Sequence, residues 1–117
     1  MGYDDECGEG VGAGWNLNVP LDAGVEENEY LRHLDSTLEV ARSREIVGTV
    51  VLLGVDTYIG DPISDLRLTT DSYHRMGSLL RSLNVPMVVV QEGGYNQIEL
   101  GLNVHQFLRG IAGLDKK

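Results

Sequence analysis

The chain has 117 residues, enough to bury one core and too few for a second of any size. Its 18 acidic residues against 9 basic ones give a formal charge of −9, a surface that repels phosphate backbones and anionic lipid. Nucleic acid and membrane are therefore excluded as expected partners, and a cationic small molecule is the better match. The single cysteine, Cys7, rules out an intrachain disulfide, no segment is long and apolar enough for a membrane span, and the acidic start lacks an apolar leader core. These features read as a cytoplasmic protein.

In chain order, residues 1–14 form a flexible glycine-rich start. Gly8, Gly10 and Ala13 match a dinucleotide fingerprint by spacing alone, without the strand before it and the helix after it that the fingerprint needs, so the run reads as a loop. Trp15 to Pro20 alternates apolar and polar residues, the pattern of a short strand with one wet face, stopped by Pro20. Trp15 reads as a core or edge-packing residue. From about Glu26 to Ser43, Tyr30, Leu31, Leu34, Leu38 and Ala41 recur at helical spacing, with acids early and arginines late as the helix dipole prefers.

The centre of the chain is the apolar run from Val50 to Val55, which reads as a strand buried on both faces, the habit of a parallel sheet. Asp56 and Asp61 lie just past its carboxyl end, where ligands bind in open α/β sheets. On the residues alone, Asp56 serves equally well as a turn or cap residue, and Asp61 before Pro62 reads as a structural turn residue. A loop from Thr57 to Leu68 follows. Thr69, Thr70 and Asp71 supply an N-cap for a second helix with the stripe Tyr73, Met76, Leu80 and Leu83, closed by Asn84. Pro86 to Gln91 is a second buried strand, ending in Glu92-Gly93-Gly94-Tyr95-Asn96. A last helix, from about Gln97 to Ile111, carries Leu100, Val104, Phe107, Leu108 and Ile111 on one side. Two buried strands joined through a helix make a parallel unit, and the whole chain reads as an α/β sandwich.

At this point the residues resemble a known family. The segments GVDTYIGDP, LRLTTDSY and VVVQEGGYN, in that order, resemble the C-terminal portion of the arginase/deacetylase-fold amidohydrolases, the superfamily of the zinc-dependent histone deacetylases. The bacterial acetylpolyamine amidohydrolases are the branch they look most like. The opening GEGVGAGWNLNVPL resembles the segment that precedes these motifs, so the similarity spans nearly the whole chain. The resemblance implies a single domain over 1–117, the C-terminal part of a deacetylase-like domain. Its fold would be a truncated form of a three-layer α/β sandwich with a mainly parallel sheet.

The resemblance also assigns roles. Asp56 matches the aspartate that is one of three protein ligands to a catalytic zinc. Tyr95 matches the tyrosine that polarises the amide carbonyl and donates to the oxyanion. Gly93 and Gly94 match the glycines beside the substrate tunnel, and Ile63 an apolar residue of its wall. These types suit the chemistry: a carboxylate is a hard ligand, and a phenol is a donor for developing negative charge. The tandem histidines and the Asp-x-His ligand pair of the family are absent from these 117 residues.

Of the three histidines, His33, His74 and His105 all fall on helix flanks, away from Asp56. Cys7 has no base or helix terminus beside it to activate it. The expectation is therefore a truncated amidohydrolase carrying part of a zinc site, holding no zinc tightly by itself and inactive alone. Its exposed strand edges would call for a homo-oligomer, a rearranged N-terminal strand or a complementing chain, and a cationic acetylated amine is the ligand it suits. The alternative is a non-catalytic module that self-associates or binds a small ligand.

Overall fold

A computed structural model describes residues 2–115. Two strands, β1 (Thr49–Leu53) and β2 (Met87–Gln91), pair in parallel with Val50 opposite Val88 and Leu52 opposite Val90. Three helices accompany them: α1 (Glu27–Ser43), α2 (Thr70–Arg81) and α3 (Leu100–Ala112). The β1-α2-β2 unit is thus the parallel unit expected from the sequence.

The helices start and stop where local chemistry dictates. Glu27 and Glu29 occupy the first turn of α1 and Arg42 its last, the arrangement the macrodipole favours. Thr69 caps α2 in a capping box with Ser72, whose hydroxyl accepts from the Thr69 N–H at 3.0 Å. The same hydroxyl donates to Glu27 at 2.6 Å, and Arg75 pairs with Glu27 as well, so one carboxylate ties α1 to α2. One core unites Leu31 and Leu38 of α1, Leu53 and Val55 at the end of β1, Leu68, Tyr73, Met76 and Leu80, and Phe107 of α3.

Three expectations are corrected. The strands are buried on one face only: Val51, Leu53, Met87 and Val89 turn toward the core, whereas Val50, Leu52, Val88 and Val90 point to solvent. The third layer that would cover this face of a sandwich is not present among the described residues.

Residues 15–20 form no strand. Their backbone has no neighbouring strand to pair with, and the Asn16 and Asn18 amides instead bond to the carbonyls of Glu6 and Tyr3. Trp15 is correspondingly 73% exposed, lying against Arg44 with the guanidinium 4.8 Å from its ring centre, rather than in a core or packed at a sheet edge. Within the glycine-rich start, a single 3-10 turn spans Gly10–Gly12.

The apolar stripe of α3 holds except at one residue: Phe107 is buried and Leu100, Val104 and Ile111 pack on the core, but Leu108 faces solvent while Asn103, Gln106 and Gly110 are buried. The reason lies in the contact with α2. A Cβ on Gly110 would overlap the His74 carbonyl and come within 2.9 Å of the Ser78 nitrogen, and a Cβ on Gly77 would overlap the Phe107 carbonyl. The two helices meet backbone to backbone through this glycine pair, so Asn103, Gln106 and Gly110 are buried beside the stripe and Leu108 lies outside the contact.

Candidate functional site

The site forms where the ladder of β1 and β2 runs on past the strands. Glu92 N–H donates to the Leu53 carbonyl and Val55 N–H to the Gly93 carbonyl, both at 2.9 Å. This continued pairing sets Asp56 directly beside Gly93. A Cβ at Gly93 would overlap Asp56 Oδ2, and one at Gly54 would stand 2.8 Å from Oδ1, so the carboxylate occupies space that only two glycines leave open. Gly94 has φ of +141°, and a Cβ there would meet Val55 Cγ2 at 2.5 Å and Leu100 Cδ1 at 2.8 Å. Its lack of a side chain lets the loop turn over Val55 toward α3.

Asp56 is half-buried, and its carboxylate accepts no hydrogen bond and forms no ion pair among the described residues. Beneath it lie two tyrosines of the helical stripes. Tyr73 is wholly buried; its hydroxyl donates to the Val55 carbonyl at 3.1 Å and lies 3.0 Å from Thr57 Oγ1. Burial raises its ionisation well above the ordinary value of a phenol, opposed by the Thr57 bond and aided by smaller contributions from Tyr30, Asp56 and Asp61. The Tyr30 phenol is pushed up by burial first and by the Asp56 charge second. Both therefore stay neutral donors beside a carboxylate.

Asp61 joins the other predicted residues to this point. It is 7% exposed, and its Oδ2 accepts from the backbone N–H groups of Tyr95 at 2.7 Å and Asn96 at 3.1 Å while Oδ1 accepts from that of Ile63 at 3.0 Å. The Tyr95 side chain is half exposed, its hydroxyl unpartnered among the described residues, and Ile63 is likewise open to solvent. Asp56, Gly93, Gly94, Tyr95 and Ile63 thus come from two adjacent loops at one end of the sheet.

The histidines do not join them. His74, on α2, bonds the Leu114 carbonyl just past α3 at 2.7 Å, and His33, on α1, lines a cleft with Leu17, Val19 and Leu21. Among the described residues no group of three His, Cys, Asp or Glu side chains is placed to hold a metal. Asp56 is one oriented donor, and the residues present do not by themselves fit a catalytic metal ion. No described helix is long and apolar enough to cross a membrane.

The contribution of Tyr30, Tyr73 and Asp61 was not read from the sequence. A signal existed for the tyrosines, since a phenol on a buried helical stripe needs a polar partner and the nearest available are the groups at the strand end.

Comparison with known proteins places this geometry in a wider context. The profile of the histone deacetylase domain matches residues 1–111. The acetylpolyamine amidohydrolase of Burkholderia pseudomallei is 39% identical over 113 residues, covering 97% of this chain and 33% of that protein. The acetylpolyamine amidohydrolase of Mycoplana ramosa is 41% identical, with the same coverage. The crystal structure of an acetylpolyamine aminohydrolase from Burkholderia pseudomallei superposes with a TM-score of 0.93 at 38% identity, over 97% of this chain and 33% of that one. The HDA15 HD domain superposes at 0.90 with 28% identity, over 100% of this chain and 34% of that one. The chain spans about a third of the length of the relatives it matches.

Proposed function

The chain belongs to the histone deacetylase domain family, as a C-terminal portion of such a domain, and from that premise we propose that it carries one part of an amide-hydrolysing site. The observation that carries this reading is the Asp56 carboxylate, held on the backbone of Gly93 and Gly54 yet bonded to nothing among the described residues. A half-buried carboxylate without a partner is costly unless a cation or donor is to meet it. In this reading Asp56 is one ligand of a zinc ion whose other ligands belong to the rest of the domain. The chain alone holds no zinc tightly and has no activity.

The remaining roles are those the family resemblance implies, and the nearness of the two loops supports them. Gly93 keeps the space beside Asp56 free of a side chain, Gly94 lets its loop turn beside the substrate path, and Ile63 offers an apolar wall to an acyl or alkyl group. Tyr95 donates its phenolic hydrogen to the amide oxygen as that atom takes on negative charge. Support for an acetylated amine as substrate comes from the named activity of the relatives and from the formal charge of −9, which suits a cationic ligand. The same charge and the single cysteine are consistent with a cytoplasmic setting without nucleic acid or membrane partners.

The bare apolar face of Val50, Leu52, Val88 and Val90 supports a partner, either a chain bearing the remainder of the domain or a second copy. Self-association through that face is the second reading, in which the chain is a non-catalytic module. The two readings separate in one experiment. The purified chain is assayed on acetylpolyamines alone and after mixing with the remaining two-thirds of the Burkholderia pseudomallei relative. Activity only in the mixture, cut at least about 100-fold by Tyr95→Phe, is expected for the removal of an oxyanion donor. A mixture that stays inactive, or activity indifferent to Tyr95→Phe, would overturn the catalytic reading.

A further inference from the structure

We propose that Asp61 is the positioning residue of this site, its carboxylate acting as a clamp that fixes the Ile63 loop and the Tyr95 loop relative to each other. The inference deepens the reading above, since it takes Ile63 and Tyr95 as parts of one site. Its basis is the geometry. Asp61 and Tyr95 are 34 positions apart in sequence, on loops following different strands, and only 7% of Asp61 is exposed. A buried carboxylate must have its lone pairs satisfied, and Asp61 satisfies them with three backbone N–H groups: Ile63 on one oxygen, Tyr95 and Asn96 on the other.

The link is reciprocal. Asn96 Nδ2 donates to the Gly60 carbonyl at 2.8 Å, so each loop bonds the backbone of the other. Asn96 Oδ1 then accepts from the N–H groups of Ile98 and Glu99, both at 3.2 Å, and so fixes the approach to α3. Neither loop has strand pairing of its own at these positions. Without Asp61, the Tyr95 backbone would lose its one described side-chain anchor, and with it the fixed point from which the half-exposed phenol extends. A turn residue serving its own loop would need only the local bond to Ile63. The two bonds to the distant loop are what such a role leaves unexplained.

The test uses the 15N-labelled chain without metal or substrate, so its result is independent of whether the chain takes part in deacetylation. Amide hydrogen exchange of Ile63, Tyr95 and Asn96 is followed in the wild type and in Asp61→Asn, which replaces a charged acceptor with a weaker one and puts a donor opposite donors. The wild type is expected to show slow exchange at all three amides despite their irregular backbone, with the Tyr95 proton shifted downfield as charge-assisted bonds require. In Asp61→Asn, Tyr95 and Asn96 should exchange at least about 10-fold faster while Val51 and Val89 in the sheet keep their rates. Fast exchange at Tyr95 and Asn96 in the wild type, equal rates in the variant, or a uniform loss of protection across the chain would each overturn the assignment. If Asp61→Asn does not fold, the wild-type rates alone decide it.

Discussion

A carboxylate at the end of a parallel strand is an ordinary feature; what sets Asp56 apart is the space in which it stands. Gly93 is the residue on which that space depends. Gly93→Ala should push the Asp56 carboxylate off its seat and destabilise the chain by about 1–3 kcal/mol, the usual cost of overpacking, read as a lower urea midpoint with an unchanged slope. Tyr73 answers a different question. Tyr73→Phe removes one of the two donors to the Val55 carbonyl, the Tyr58 N–H being the other, and should cost about 0.5–1.5 kcal/mol at neutral pH. It should also change the pH dependence.

Because the folded chain holds the Tyr73 proton more tightly than the unfolded chain does, the stability this gives is complete below pH 10 and is lost as pH rises beyond that value. Urea denaturation between pH 9 and 11.5 should show stability falling by up to about 1.4 kcal/mol per pH unit for this group, a component that Tyr73→Phe removes. Much of this scale was legible in the sequence. Asp56, Gly93, Gly94, Tyr95 and Ile63 were named through their motifs, and the structure gathers them at one end of the sheet. Asp61 was read only as a turn residue, because a bond to a backbone 34 positions away leaves no trace in local spacing.

At the scale of elements, hydrophobic period located all three helices and both strands of the sheet, since each is long enough for its pattern to repeat. On α3 it erred only at Leu108, which faces solvent. Gly77 and Gly110 bring α2 and α3 into backbone contact, and that approach sets how far the buried face extends around α3. Gly110→Ala should therefore lower stability by about 1–3 kcal/mol or more, in contrast to the gain that glycine to alanine brings in an exposed helix. The buried face also takes in Asn103, whose amide has no partner among the described residues. Asn103→Leu, close in size, should stabilise the isolated chain by about 1–3 kcal/mol in the same urea measurement, because it removes an unpaired polar group from the core. Residues 15–20 show the opposite failure, a correct alternation with no neighbouring strand to complete the ladder.

For the whole molecule the governing fact is the sheet with one face packed and one bare. Continuous valine and leucine in β1 and β2 implied two covered faces, and the sequence pattern was right about what these strands suit. What covers the second face is not encoded in their period, and the relatives are about three times as long as this chain. A charge on that face should keep the chain monomeric: Leu52→Lys is expected to lower its mass in sedimentation if wild type associates through the sheet, with little change in urea midpoint because Leu52 is 65% exposed. The central claim, that this chain bears a single donor of a metal site completed elsewhere, is tested most directly by titrating zinc into the purified chain by calorimetry, with Asp56→Ala alongside. The account predicts no stoichiometric, tight binding to the chain alone, and tight binding that requires Asp56 once the rest of the domain is supplied. Stoichiometric tight zinc in the isolated chain, retained by Asp56→Ala, would contradict it.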